Sequence, residues 1–257
     1  MLSGYGGPGG STVALDSLVT LLKSKGLNVS LYLDDSRKVW TGVKNDRKPI
    51  KQCNFSSSGK DTIIYHFLPV TSRPPCKKLI LCSHETRVFP IKDAKLKYDE
   101  VVYVSNFQKD WQGVPGTVIP NVIRKYKPSS NKSKCAGIIG SVDGNKRIPM
   151  SVERALADGH TDVRLYGNIS DPTCWFGEVV PLLGEKVSYR GIADDMQAVY
   201  DSLTDVYHSP ELETFNLIKA ECKYAEVNYH GNEGNDTQAE YWDNDRIYEA
   251  WKNLIST

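Results

Sequence analysis

Ser209-Pro210-Glu211-Leu212-Glu213-Thr214-Phe215-Asn216-Leu217-Ile218-Lys219-Ala220-Glu221 is the stretch on which the fold assignment turns. It follows Asp205-Val206-Tyr207-His208, an apolar run with strand character, and Ser209-Pro210 marks a turn between the two. Phe215, Leu217, Ile218 and Ala220 alternate with polar residues in a helical pattern. Glu213 and Glu221 have seven residues between them. The pattern places the first at the mouth of the helix and the second about two turns inside. At a rise of about 1.5 Å per residue, their backbones then stand on the order of 12 Å apart. That is roughly the reach of a nucleoside diphosphate sugar, with free amides and a positive dipole end between the carboxylates to hold the diphosphate. The spacing alone is equally that of an ordinary surface helix with two glutamates.

Outward from this stretch, the chain reads as strand–helix alternation. The first half opens on a short strand at Met1-Leu2 and a glycine loop, Gly4-Tyr5-Gly6-Gly7-Pro8-Gly9-Gly10. Ser11 is the expected N-cap of a helix whose apolar side is Val13, Leu15, Leu18, Val19, Leu21 and Leu22. Strands are expected at 29–33, 62–66, 79–83 and 101–105, and the polar, basic segment 37–60 reads as a long loop. A second series begins at 135–140 and continues through 163–166, 186–189, 205–207 and 226–229. The expected division is an N-terminal lobe over 1–123, a linker over 124–134 and a C-terminal lobe over 135–257 that includes a terminal helix. Two successive α/β units predict two Rossmann-like lobes with a cleft between them, and ligands bind outside the carboxyl ends of strands in such sheets.

Composition bounds the function. The chain has 257 residues, 40% hydrophobic and 25% charged, as a globular protein does. Its apolar runs fall far short of a membrane span, and no basic region leads into a hydrophobic one at the N-terminus, so a cytoplasmic protein is expected. Six scattered cysteines include no C-x-x-C pair and no histidines at zinc spacing, which reads as reduced thiols without structural zinc. Asp243-Asn244-Asp245 reads as a capping turn rather than a cation site, and no metal or cofactor is expected. Net charge is +1, but residues 1–150 hold 24 Lys and Arg against 11 Asp and Glu, while residues 151–257 hold 8 against 20. Segregation of this kind points to a polyanionic partner for the first lobe, or else to lobes that attract each other.

Several smaller motifs stand at strand ends. The glycine loop lacks the acidic ribose partner of a dinucleotide fingerprint and the Lys-Ser/Thr of a P-loop, so it is no evidence for either cofactor. His84 follows the apolar run Leu79-Ile80-Leu81-Cys82. Val104-Ser105, Ile119-Pro120-Asn121, Gly140-Ser141 with Lys146-Arg147, Tyr166-Gly167 and Tyr189-Arg190-Gly191 follow in order.

Together with Glu–x7–Glu after its Ser-Pro turn, this series resembles the retaining GT-B glycosyltransferases of the family-4 type. The resemblance runs from the glycine loop to Glu221 and is strongest from Val101 onward. It implies a GT-B fold and metal-independent sugar transfer from a nucleotide sugar, a UDP-sugar by preference, as the only co-substrate. It assigns Glu213 and His84 to the donor sugar, Lys146 and Arg147 to the diphosphate, and Glu221 to the ribose diol. Gly6, Gly7, Gly9 and Gly10 would approach the phosphates and sugar. Ser141, Tyr189, Arg190, Thr214, Phe215, Asn216 and Leu217 would complete the donor site. The chain departs from the family at Ser141, where Arg is usual, so one cation is missing or comes from Arg190 or Arg87. Asn216 stands where glycine is commoner, a position its tight backbone geometry would tolerate.

The first lobe's charge, with Tyr5, Trp40, Phe55, Phe89, Tyr98, Phe107 and Trp111, fits a hydroxymethylated base in double-stranded DNA as acceptor, as in bacteriophage enzymes that modify DNA. A lipid-linked or surface glycan, with peripheral membrane contact, is the alternative acceptor. A GT-B-like binding module without activity is the reading from a different class.

Overall fold

The structure, a computed structural model, describes residues 2–3, 7–33, 42–49, 59–66, 73–84, 98–130, 132–231 and 240–256. Gly4, Tyr5, Gly6, Trp40, Phe55, Arg87 and Phe89, all named above, lie outside them. The chain divides into two units, 1–123 with 237–257, and 124–236.

In the first unit β1 (Leu2–Ser3), β2 (Leu31–Leu33), β3 (Arg47–Pro49), β4 (Thr62–His66), β5 (Lys78–Ser83), β6 (Glu100–Tyr103) and β7 (Thr117–Val118) form one parallel sheet. Its order is β3-β2-β1-β4-β5-β6-β7. Strand order reverses direction between β1 and β4, the switch point where doubly wound sheets take ligands. β5 is almost wholly buried, as a central parallel strand must be, and its Leu79, Ile80 and Leu81 are solvent-free. The expected loop over 37–60 contains β3, a polar edge strand that apolar patterning does not reveal.

Helix α1 (Gly10–Ser24) buries Leu15, Leu18, Val19 and Leu22. Its N-cap is Gly9, not the expected Ser11, and no side chain caps it. Asp16 is buried in this helix because its carboxylate accepts the backbone N–H groups of Lys44 and Asn45 at 3.1 and 3.0 Å. Helix α2 (Asn106–Gln112) is capped by Ser105, which accepts the Gln108 N–H.

In the second unit β8 (Ala136–Ile139), β9 (Val163–Tyr166), β10 (Val187–Gly191), β11 (Asp205–Tyr207) and β12 (Asn228–His230) form a parallel sheet ordered β10-β9-β8-β11-β12. The switch point here lies between β8 and β11. Helices α3 (Ile148–Ala157), α4 (Pro172–Cys174, continuing as a π-helical turn over Trp175–Val179), α5 (Met196–Asp201) and α6 (Leu217–Ala225) connect the strands. Gly167 must be glycine: a Cβ there would lie 1.8 Å from the Gly140 carbonyl oxygen, where the ends of β8 and β9 meet. Residues 124–130 pack into this unit, with the Tyr126 ring 4.8 Å from that of Tyr200.

The last helix, α7 (Asn244–Ser256), corrects the expected boundary. Sequence placed it with the second lobe, but its Ile247 and Trp251 are buried among Leu18, Leu22, Ile64, Ile80 and Val102 of the first unit. Its apolar stripe finds a mate in α1 and the sheet below, and that burial decides the assignment. Asp243 does cap it, accepting the Arg246 N–H at 2.8 Å.

This boundary also rescales the charge. Counted over the structural units, the first holds 19 basic and 14 acidic residues, and the second 13 and 17. The asymmetry falls to +5 against −4, because the cations of 124–147 belong to the second unit and the acids of 240–249 to the first.

Candidate functional site

Two loops meet at the switch point of the second sheet. The loop after β8 carries Asp143-Gly144-Asn145-Lys146-Arg147, and the loop after β11 carries His208 to Phe215. Asp143 accepts the Lys146 N–H at 3.1 Å and sets a 3-10 turn over Gly144–Lys146. Asn145 laces the loops together: its carbonyl accepts the Glu211 N–H, while its side chain donates to the Leu212 carbonyl and accepts the Leu212 N–H. Arg147 takes a left-handed backbone, with φ of 46°, which costs a non-glycine residue on the order of 1 kcal/mol or more. That turn starts α3 and leaves the Arg147 guanidinium 3.7 Å from the Glu211 carboxylate.

The centre of this assembly is Glu213. Its Oε1 receives the Lys146 ammonium, and the His208 Nε2 lies 3.2 Å from the same oxygen. Burial by itself would raise the Glu213 pKa. The Lys146 charge and the His208 hydrogen bond outweigh it and hold the carboxylate down at about 2. Glu213 is therefore ionised across the physiological range, and the stability this pair contributes is full above the ordinary 4.5 and is lost progressively as pH falls from there through about 2. A salt bridge kept in so dry a place is poor value for stability alone, because both ions lose hydration. Its location at a switch point is that of a ligand site.

Glu213 and Glu221 do not share a helix. Pro210 and the laced loop hold residues 209–215 out of helical geometry, and α6 begins at Leu217. Its N-cap is Asn216, whose side chain accepts the Lys219 N–H at 3.0 Å and donates to Tyr229 Oη at 2.6 Å. Asn216 has φ of −80°, so it is there as a cap and not for left-handed freedom. Glu221 is 4% exposed and accepts the Tyr200 hydroxyl at 2.8 Å. Burial lifts its pKa to about 7, against the pull of Tyr200 and Arg124.

The remaining expected residues scatter. Thr214, Phe215 and Leu217 lie at the entrance to α6, with Phe215 buried. Ser141 donates to Asn168 Oδ1 at 3.0 Å. Tyr189 donates to the Gly167 carbonyl at 2.6 Å, and its ring packs on Trp175. Arg190 is exposed on β10, the edge strand farthest from β11, with its field felt at Asp162. It is not gathered with Lys146. In the first unit Gly9 and Gly10 open α1 and Gly7 precedes them. His84 is buried, its Nε2 2.7 Å from His66 Nε2. His208 was not singled out from sequence, although a polar residue ending the apolar run 205–208 was the signal.

The architecture has close parallels among solved structures. Anabaena HepE, solved with UDP and glucose, superposes with a TM-score of 0.72 over 100% of this chain and 99% of its own, at 13% identity. AviGT4, a glycosyltransferase of avilamycin A biosynthesis, gives 0.66 over 98% and 81% at 18% identity. The fold is GT-B. An α-glucosyltransferase solved with UDP and a 13-mer DNA shares this GT-B architecture at a TM-score of 0.58 and 12% identity, over 99% of this chain and 89% of that one. No family profile and no curated protein sequence matches the chain. No helix among the described residues is long and apolar enough to cross a membrane.

Proposed function

We propose that this GT-B protein transfers a sugar from a UDP-sugar to an acceptor hydroxyl. The observation that carries the reading is the Lys146–Glu213–His208 assembly at the switch point of the second sheet. Lys146 would move from Glu213 to the departing diphosphate, helped by Arg147 and by the amides that open α6. Glu213, still held by His208, would then take donor-sugar hydroxyls. The glycosidic C1–O bond to the β-phosphate breaks and a bond from C1 to the acceptor oxygen forms. On the retaining route the acceptor proton passes to the departing phosphate, so no protein nucleophile and no metal is used in the transfer. Glu221 would take the ribose diol on the same carboxylate whose Oε2 accepts the Tyr200 hydroxyl. The UDP bound by HepE supports the choice of nucleotide.

The proposed acceptor is a hydroxymethylated base in DNA. Its support is the net +5 of the first unit and the DNA-bound neighbour. A lipid-linked or surface glycan is the second reading, favoured by the structural neighbour WaaG, a glycosyltransferase involved in lipopolysaccharide biosynthesis. The test is mass spectrometry of nucleosides from hydroxymethylcytosine DNA incubated with the chain and a panel of UDP-sugars, beside a glycan panel. A hexose or pentose mass gain on the nucleoside, lost in Glu213→Ala, is expected. A gain on glycans alone overturns the DNA acceptor, and no gain or donor hydrolysis with any substrate overturns the enzyme.

A further inference from the structure

Beside its switch point, the first sheet ends β4 and β5 in a different chemistry. His66 closes β4, and its register partner on β5 is Cys82. His84 follows two residues after Cys82, so alternation returns its side chain to the same face. His66 and His84 bring their Nε2 atoms to 2.7 Å, and Cys82 Sγ lies 3.7 Å from His84 Nε2. Three ligand atoms, one from each residue, fall within 4.8 Å of one another. The residues are 2, 4 and 9% exposed for His66, Cys82 and His84. A cavity of about 10 Å³ touches His66 and Cys82 and is bounded by Ala14, Leu18, Asn121 and Trp251. That is room for about one water.

We propose that His66, Cys82 and His84 form a binding site for a thiophilic metal ion, Zn²⁺ or Cu⁺. Two imidazoles and a thiol, with no carboxylate or carbonyl among them, do not suit Mg²⁺ or Ca²⁺, which take oxygen ligands. Bond lengths of about 2.05 Å to nitrogen and 2.3 Å to sulfur put tetrahedral ligands about 3.3 Å apart for N···N and 3.5 Å for N···S. The Cys82–His84 separation already fits. The imidazoles need to part by roughly 0.6 Å.

Protons balance simply. Each imidazole binds as its neutral form through one lone pair, and the one carrying its proton on Nε2 shifts it to Nδ1. The Cys82 thiol loses its proton to the metal, releasing one H⁺ per ion bound. Cu⁺ with one thiolate is neutral and suits a dry three-coordinate site. Zn²⁺ leaves a positive charge that a water or hydroxide in the neighbouring cavity would share. Either ion would tie the carboxyl ends of β4 and β5 together. The site rests on the first unit alone and holds whether or not the second binds a nucleotide sugar.

The experiment is calorimetric titration of the chelator-stripped full chain with Zn²⁺, and anaerobically with Cu⁺ against a competing chelator. Cys82→Ser and His66→Asn are titrated in parallel. One ion per chain, one proton released, a raised melting temperature and at least a 100-fold loss of affinity in both variants are expected. Equal affinity in wild type and variants, or no tight binding to the wild type, overturns the site. Should the variants fail to fold, X-ray absorption of the metal-loaded wild type decides: one sulfur and two imidazoles bound to the ion, with one added oxygen for Zn²⁺, support it, and any other set refutes it.

Discussion

Beside the switch point of the first sheet, at the carboxyl ends of β4 and β5, stand His66, Cys82 and His84, three groups that burial keeps uncharged. Between β8 and β11 the second sheet ends in Lys146, Glu213 and His208, where an ion pair survives burial. The strand order is the same on both sides of each switch point. What differs is the loop that follows the strand. In the second unit Asn145 and Asp143 spend their hydrogen bonds bracing a cation against a carboxylate. Topology marks the second place as a ligand site, and the side chains carry the two proposals: a phosphorylated, charged ligand in the second unit and a soft cation in the first.

That contrast can be broken by treating the units separately. Trp251→Ala removes the largest buried side chain that α7 lends the first unit and should cost about 3–5 kcal/mol. Hydrogen exchange should show the loss in the first sheet and spare β8–β12; loss confined to the second sheet would return α7 to the other unit. Glu221 gives the next effect, in the second unit. Folded, it titrates near 7; unfolded, near the ordinary 4.5. Between those values the folded chain keeps a proton that the unfolded chain has lost, so stability falls as pH rises from 4.5 to 7. The fall amounts to about 3 kcal/mol. Denaturant titrations of Glu221→Gln should lack this slope, and an unchanged slope would place it elsewhere.

Glu213→Ala should lower transfer about 100-fold, since it strands Lys146 and removes the sugar contact. Cys82→Ser should leave turnover within about threefold once its fold is verified. Equal losses at the two sites would erase the distinction drawn between them. On stability, the smallest effect is Asn216→Ala, about 1 kcal/mol from the lost cap on α6, read as a shift in denaturation midpoint.

Much of this was legible in the sequence. Apolar runs located the central strands β4, β5, β8, β9 and β11 to within a residue or two, because buried parallel strands are apolar on both faces. Glu213 and Lys146 were each singled out through the order of strand-end motifs, Glu213 with Glu221 and Lys146 with Arg147, but their contact with each other was not. The start of α6 was misplaced because the apolar period continues backward through Phe215. Asn216, three residues before the N–H it caps, carried the correction. The owner of α7 was not legible, since an amphipathic stripe does not name the surface it covers. The imidazole–thiol cluster was not legible either. Its ligands come from adjacent strands 16 residues apart, joined by register and not by a motif spacing.

The central claim is that Lys146 and Glu213 are the diphosphate and sugar ends of one donor site. Calorimetric titration of UDP and of UDP-glucose into the wild-type chain, Lys146→Met and Glu213→Gln tests it most directly. Lys146→Met should weaken UDP and UDP-glucose alike, by about tenfold or more. Glu213→Gln should weaken UDP-glucose and leave UDP unweakened, because Lys146 is then released to the phosphates. UDP binding that ignores Lys146→Met, or no binding of either ligand to the wild type, would contradict the account.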